Sequence, residues 1–222
     1  YGHFLHLGAR AARHTVCTTV RRRQPGHFLV CHPREDDQQL DPPARVHMLV
    51  VAASAARTPP PCYRAPRVSQ PITIDGNLDK AVWADAPWSA EFGEIRGLHD
   101  APADAQPPAG CSTRMKMLWD DEYLYVGAVV ESTFEVISSF TERNSPIFQK
   151  DSDFEVFVDA AGSHHAYKEL EVNPSNVVWN LLLTRPYADG GGEHSGRVAA
   201  AGATNFYEVA AQRTATRLLK GE

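Results

Sequence analysis

From residue 72 onward the chain repeats one pattern, a short apolar and aromatic run closed by an acidic or Asn/Gly/Pro turn. Ile72-Thr73-Ile74 reads as a strand entry, and Asp75-Gly76 turns the chain after it. Asn77 can cap a short helix from Leu78 to about Ala84 that Pro87 stops, with Leu78, Val82 and Trp83 on one face. Met115, Met117 and Trp119 then alternate with Arg114, Lys116 and Leu118 before a turn at Asp120-Asp121-Glu122. Side chains alternate along a strand, so the return run sets Leu124, Val126, Ala128 and Val130 against Tyr123, Tyr125, Gly127 and Val129. Both faces are largely apolar, which suits a strand covered on two sides.

Farther on, Phe154, Val156 and Val158 point one way, and Asp153, Glu155, Phe157 and Asp159 point the other. Residues 167–172 and 177–183 form a second hairpin around Asn173-Pro174-Ser175-Asn176. The pattern predicts an all-β sandwich with one short helix at its N-terminal end. After Leu183 it weakens into Asp189-Gly190-Gly191-Gly192, and residues 211–222 show no strand alternation and are expected to be an unstructured tail. A sandwich needs more strands than these, so its last strands are expected to be missing at the C-terminal end.

Residues 1–68 lack sustained apolar periodicity and carry Arg21-Arg22-Arg23, Pro42-Pro43 and Pro59-Pro60-Pro61. They are expected to be a disordered leader to a domain at residues 69–210. Charge sharpens the boundary. The leader has ten Arg against four acids, a net +6, while the remainder has twelve basic against twenty-three acidic residues, a net −11. An acidic body argues against nucleic acid as a partner. No run of eighteen apolar residues is present to span a membrane. From Met48 no acid occurs until Asp75, in an Ala/Ser/Arg-rich stretch of the composition found in organelle (plastid) leaders; the other expectation is a cytoplasmic chain. Cys17, Cys31, Cys62 and Cys111 follow no metal-ligand spacing, and three of them lie in the leader.

Candidate chemistry is sparse. Asp151, Asp153 and the Asp120-Asp121-Glu122 turn offer clustered oxygens of the kind calcium takes, although neither group has the order of an EF-hand loop. His164-His165 and His194 lack the spacing of a zinc site. Glycoside hydrolysis needs two carboxylates on opposite sides of a bond; Asp153 and Glu155 project from the same face of one strand, about 7 Å apart by strand rise. No G-x-S-x-G, H-E-x-x-H or phosphate-loop motif occurs. Trp83, Trp119 and Trp179 sit among alternating apolar residues and read as packing, while Trp88 stands between packing and rim.

DGNLDKAVWADAPW, LWDDEYLYVGA, DFEVFVDAAG and YKELEVNPSNVVWNLLLTRPY resemble, in order, the motifs of family 9 carbohydrate-binding module-like proteins, relatives of the DOMON β-sandwiches. The resemblance spans roughly residues 71–206 and implies a jelly-roll-like sandwich that binds an oligo- or polysaccharide without catalysis. Such modules often accompany glycoside hydrolases in the breakdown of xylan or cellulose. They hold sugar between stacked aromatic rings, because a pyranose has an apolar C–H face and hydroxyls that need polar partners. Glu155 matches the family carboxylate that accepts sugar hydroxyls, and Phe148 occupies the region of the first stacking ring. Tyr167, Asn173 and Trp88 complete the candidate contacts, although Asn173 reads first as a turn former. The second stacking ring of the family lies near its C-terminus, in the part expected to be missing from this chain. Structural calcium, which some relatives hold, would fall to Asp151 and Asp153. A DOMON-type haem would need an axial Met115 or Met117 with a loop His. The other reading is a structural or protein-interaction sandwich that has lost its sugar slot.

Overall fold

The computed structural model describes residues 12–21, 62–94, 106–190, 208–209 and 211–220. The chain divides into two compact units, Tyr1–Phe28 with Ala65–Glu222 and Leu29–Arg64; every strand described belongs to the first. That unit is an all-β sandwich of two antiparallel sheets. β1 (Ala12–Arg21), β2 (Ser112–Trp119), β3 (Tyr123–Ser132) and β7 (Arg213–Lys220) form one sheet in the order β2-β3-β1-β7. β4 (Phe154–Val158), β5 (Tyr167–Val172) and β6 (Val178–Leu183) form the other, in sequence order.

The predicted β2–β3 hairpin is present, with Trp119 opposite Leu124. No residue of its turn has positive φ. The Asp120 carboxylate fixes the bend instead, accepting the N–H groups of Glu122 and Tyr123 at 2.7 Å each and the Tyr125 hydroxyl. Residues 89–92 run along the outer side of β2, with Ser89 and Phe92 donating to the Met115 and Thr113 carbonyls. The core of this sheet joins Cys17, Leu118, Tyr125 and Val129 to Ile72, Leu78, Trp83 and Ala86. Gly127 makes room for it: a Cβ there would meet Leu78 Cδ2 at 2.4 Å and a Trp83 ring carbon at 3.2 Å.

Three expectations need correction. The short helix is a three-residue 3-10 turn, Ala81–Trp83. Asn77 Oδ1 takes the Asp79 N–H, and the backbone is still extended at Lys80, so only six residues lie between it and Pro87. That is too short for an α-helix. Second, residues 12–21 of the expected leader form β1, an inner strand paired with β3 and β7. Its Thr15, Val16, Thr18, Thr19 and Val20 are β-branched residues that favour strands even without alternation. Third, the expected tail contains β7, the outermost strand of its sheet. An edge strand can expose one row of side chains to water, here Arg213 and Arg217, so apolar alternation is not required of it. Thr216 Oγ1 also donates to the Pro174 carbonyl, and Asn176 Nδ2 to the Thr214 carbonyl, tying β7 to the β5–β6 turn.

The three-stranded sheet has one apolar face. Leu170 packs there with Val156, Val158 and Val209, and Phe154 stacks on Phe92 at 6.3 Å between ring centroids. Its other face is the polar and aromatic one.

Candidate functional site

Strand register builds this second face row by row. Glu155 pairs with Glu171, which pairs with Trp179; Phe157 pairs with Glu169, which pairs with Leu181; Tyr167 pairs with Leu183. Asp153 precedes β4 on the same side. Carboxylates therefore occupy the middle of the face, with aromatic rings on two sides. Phe157 lies against Tyr167 at 6.3 Å between centroids, and Phe148 against Trp179 at 5.3 Å. Phe157 is 52% exposed and Phe148 is 42% exposed, whereas Trp179 is buried among Ile147, Val177, Leu181 and Leu183.

The carboxylates are electrostatically frustrated. Like charges directly opposite each other across two strands repel. Burial raises Asp153 to about 6, helped by the charges of Glu155, Asp151 and Glu169. Burial also raises Glu171 well above the usual carboxylate range, with a hydrogen bond to Glu169 and the charges of Glu155, Glu169 and Asp153 adding to it. Glu155 is raised by burial alone, although its outer end reaches solvent. Burial and mutual repulsion thus make these carboxyl groups hold their protons more tightly than ordinary carboxylates. The exposed Glu155 offers oxygens that accept hydrogen bonds from sugar hydroxyls.

The structure brings Glu155, Phe148, Tyr167 and Asp153 onto this face and places the other sequence candidates elsewhere. Asp151 accepts the N–H groups of Ser139 and Phe140 and the Asn173 amide. These bonds outweigh its burial and hold it below the usual carboxylate range. Asn173 is fully buried; it donates to the Phe140 carbonyl and Asp151 and accepts the Val177 N–H, closing the β5–β6 turn. Trp88 lies by the four-stranded sheet, with Lys116 Nζ 4.6 Å and the Arg114 guanidinium 5.1 Å from its ring centroid. Met117 is buried in β2.

Glu169 and Glu171 are missed by motif reasoning. Their signal is period-two spacing after Tyr167, which puts all three on one side of β5. What the sequence does not contain is the β4–β5 register that sets Glu171 against Glu155. Phe157 is visible in the sequence as a neighbour of Glu155, but its pairing with Tyr167 appears only in the folded sheet.

Among the described residues no helix is long and apolar enough to cross a membrane. No curated protein and no solved structure matches the chain. The family model for carbohydrate family 9 binding domain-like proteins matches residues 74–206, more than half of the sequence. The chain belongs to that family.

Proposed function

We propose that this member of a carbohydrate-binding family takes an oligo- or polysaccharide, without catalysis, at the open β4 side of the aromatic and acidic face of its three-stranded sheet, where Phe157 and Glu155 are exposed. The observation that carries the reading is the juxtaposition of exposed Phe157, its neighbour Tyr167 and the solvent-reaching Glu155. An aromatic ring binds the C–H face of a pyranose, while Glu155 accepts hydroxyl hydrogens beside it. Phe148 supplies a second ring across the carboxylates. Asp153, Glu155 and Glu171 rise side by side from adjacent strands of one sheet, whereas hydrolysis needs carboxylates on opposite sides of a bond. Binding rather than bond cleavage fits that layout, and an accessory role beside a glycoside hydrolase acting on xylan or cellulose would use it.

Calorimetric titration of the full chain with cello-, xylo- and malto-oligosaccharides tests the proposal. Saturable binding in the millimolar range or tighter is expected for at least one series, weakened by Glu155→Gln. A second reading, a sandwich that has lost its sugar slot, draws on the packing of Phe148 onto Trp179, which limits the free ring surface. Absence of binding across the whole panel by a folded chain would favour that reading.

A further inference from the structure

We propose that the four-stranded sheet carries a second site, separate from the acidic face, for the oxyanion of an acidic saccharide such as a uronate. Strand register sets its charges. Arg114 of β2 pairs with Val129 of β3, and the same cross-strand row passes through β1 at Thr15 to end at Arg217 of β7. Arg114, Val129 and Arg217 therefore share one side of the sheet. Three strand spacings put the two arginine backbones about 14 Å apart, a gap that their side chains can close around one anion above Val129.

A cavity of about 50 Å³ opens on this row, lined by Asn77, Asp79, Trp88, Val129, Arg217 and Leu219. It has room for a few water molecules or one oxyanion, and too little for a pyranose ring. Trp88 joins its two sides. The ring lines the cavity, while the Arg114 guanidinium and Lys116 Nζ lie 5.1 and 4.6 Å from its centroid. A cation held against an aromatic ring has already lost much of its freedom, which lowers the cost of ordering it around a ligand.

Charge balance points the same way. Residues 69–222 carry twelve basic against twenty-three acidic residues, so cations elsewhere find carboxylates: Lys80 pairs with Asp75, Arg143 with Glu208 and Arg67 with Asp121. Among the described residues neither Arg114 nor Arg217 makes an ion pair. Lys116 is buried on the Trp83 carbonyl, and burial lowers its pKa without a carboxylate beside it to offset the effect. Three cations thus surround Trp88 and its cavity against one exposed acid, Asp79. A positive patch in an acidic body draws anions to itself, and the planar guanidinium fork matches a carboxylate or sulfate. Membership of a carbohydrate-binding family selects an anion carried on a sugar.

The test titrates the full chain with trigalacturonate and, separately, with sodium sulfate, at an ionic strength held constant with NaCl. Cello-, xylo- and malto-oligosaccharides carry no charge and leave this site empty, so its outcome is separable from theirs. Saturable binding of trigalacturonate is expected, with sulfate weaker and competing. Arg114→Gln and Arg217→Gln should each weaken it about tenfold and leave neutral-sugar titrations unchanged. Asp79→Asn, which removes the opposing charge at the rim, should tighten it. Arg185→Gln, an exposed cation outside the row, should have no effect. Arg217 is exposed, so its substitution keeps the test decisive if Arg114→Gln disturbs the packing around Trp88. Four results would overturn the proposal: no saturable binding at millimolar trigalacturonate by a folded chain, equal losses in Arg185→Gln and Arg217→Gln, weaker binding in Asp79→Asn, or sulfate bound as tightly as trigalacturonate.

Discussion

The two sheets treat their buried charged groups in opposite ways. In the four-stranded sheet, Lys116 is buried but donates to the Trp83 carbonyl at 2.8 Å, and Asp120 accepts three hydrogen bonds. Around these pairs the apolar core of Leu118, Tyr125, Val129, Leu78 and Trp83 closes tightly on Gly127. In the three-stranded sheet, Glu155 and Glu171 face each other across the strands, and oxygens of Asp153 and Glu171 lie buried without partners. Satisfied polar groups and dense packing stabilise a fold, whereas unsatisfied ones cost free energy unless a ligand meets them. Stability is accordingly expected to reside mainly in the first sheet and binding in the second.

The largest effect should come from removing β1. A chain beginning at Met48 lacks the strand that pairs with both β3 and β7, which would leave β3 with an open edge and β7 without its partner. Such a chain is expected to show no cooperative thermal transition by circular dichroism. A melting curve like that of the longer chain would show that β1 contributes little. Next comes Gly127→Ala, which drives a methyl group into Leu78 and Trp83. Overpacking of this kind costs about 1–3 kcal/mol, and chemical denaturation should register it with sugar affinity unaltered.

The acidic face should respond to pH instead. Asp153 is raised to about 6 from the ordinary 3.8, and Glu171 is raised from 4.5. Folded protein therefore holds protons that the unfolded chain has released. Stability from these two groups is fully present below about pH 4 and is lost as pH climbs through their folded values. The decline can reach about 1.4 kcal/mol per pH unit for each proton involved. Asp120 and Asp151 act in the opposite sense: hydrogen bonds outweigh burial and lower both, so their contribution is lost as the solution becomes acid. Glu171→Gln removes one of the raised groups. Its stability, followed by urea unfolding from pH 5 to pH 8, above the ordinary 4.5 of a glutamate and below the raised folded value, should fall less steeply than that of the unsubstituted chain. Parallel curves would contradict the assignment. A smaller effect is expected from Phe148→Ala, which trims the second ring: a modest loss of sugar affinity, less than that of Phe157→Ala, measured by the same titration.

Much of this division is legible in the sequence, for identifiable reasons. Alternation over residues 114–130 and 153–159 reports the two faces of each strand directly, because the side-chain period is two. The turn chemistry of Asp120 and Asn173 is likewise local, and their hydrogen bonds to nearby N–H groups follow from side-chain length. β1 escapes because its assignment depends on β3, more than a hundred residues away, and its β-branched run alternates poorly. β7 escapes because an edge strand needs no apolar alternation. Glu171 is hidden for a third reason: its character comes from the opposing Glu155, and cross-strand register is a property of the pair. Trp88 attracts attention as an aromatic residue, yet Arg114 and Lys116 on β2 engage its ring on a different sheet from Glu155.

The most direct test compares two aromatic substitutions in calorimetric titration with the oligosaccharide that binds the unsubstituted chain best. Phe157→Ala, on the acidic face, is expected to weaken binding at least about tenfold, or about 1.4 kcal/mol, while Trp88→Ala leaves it unchanged. Loss of binding in Trp88→Ala with full affinity in Phe157→Ala would contradict the assignment of the site to the three-stranded sheet.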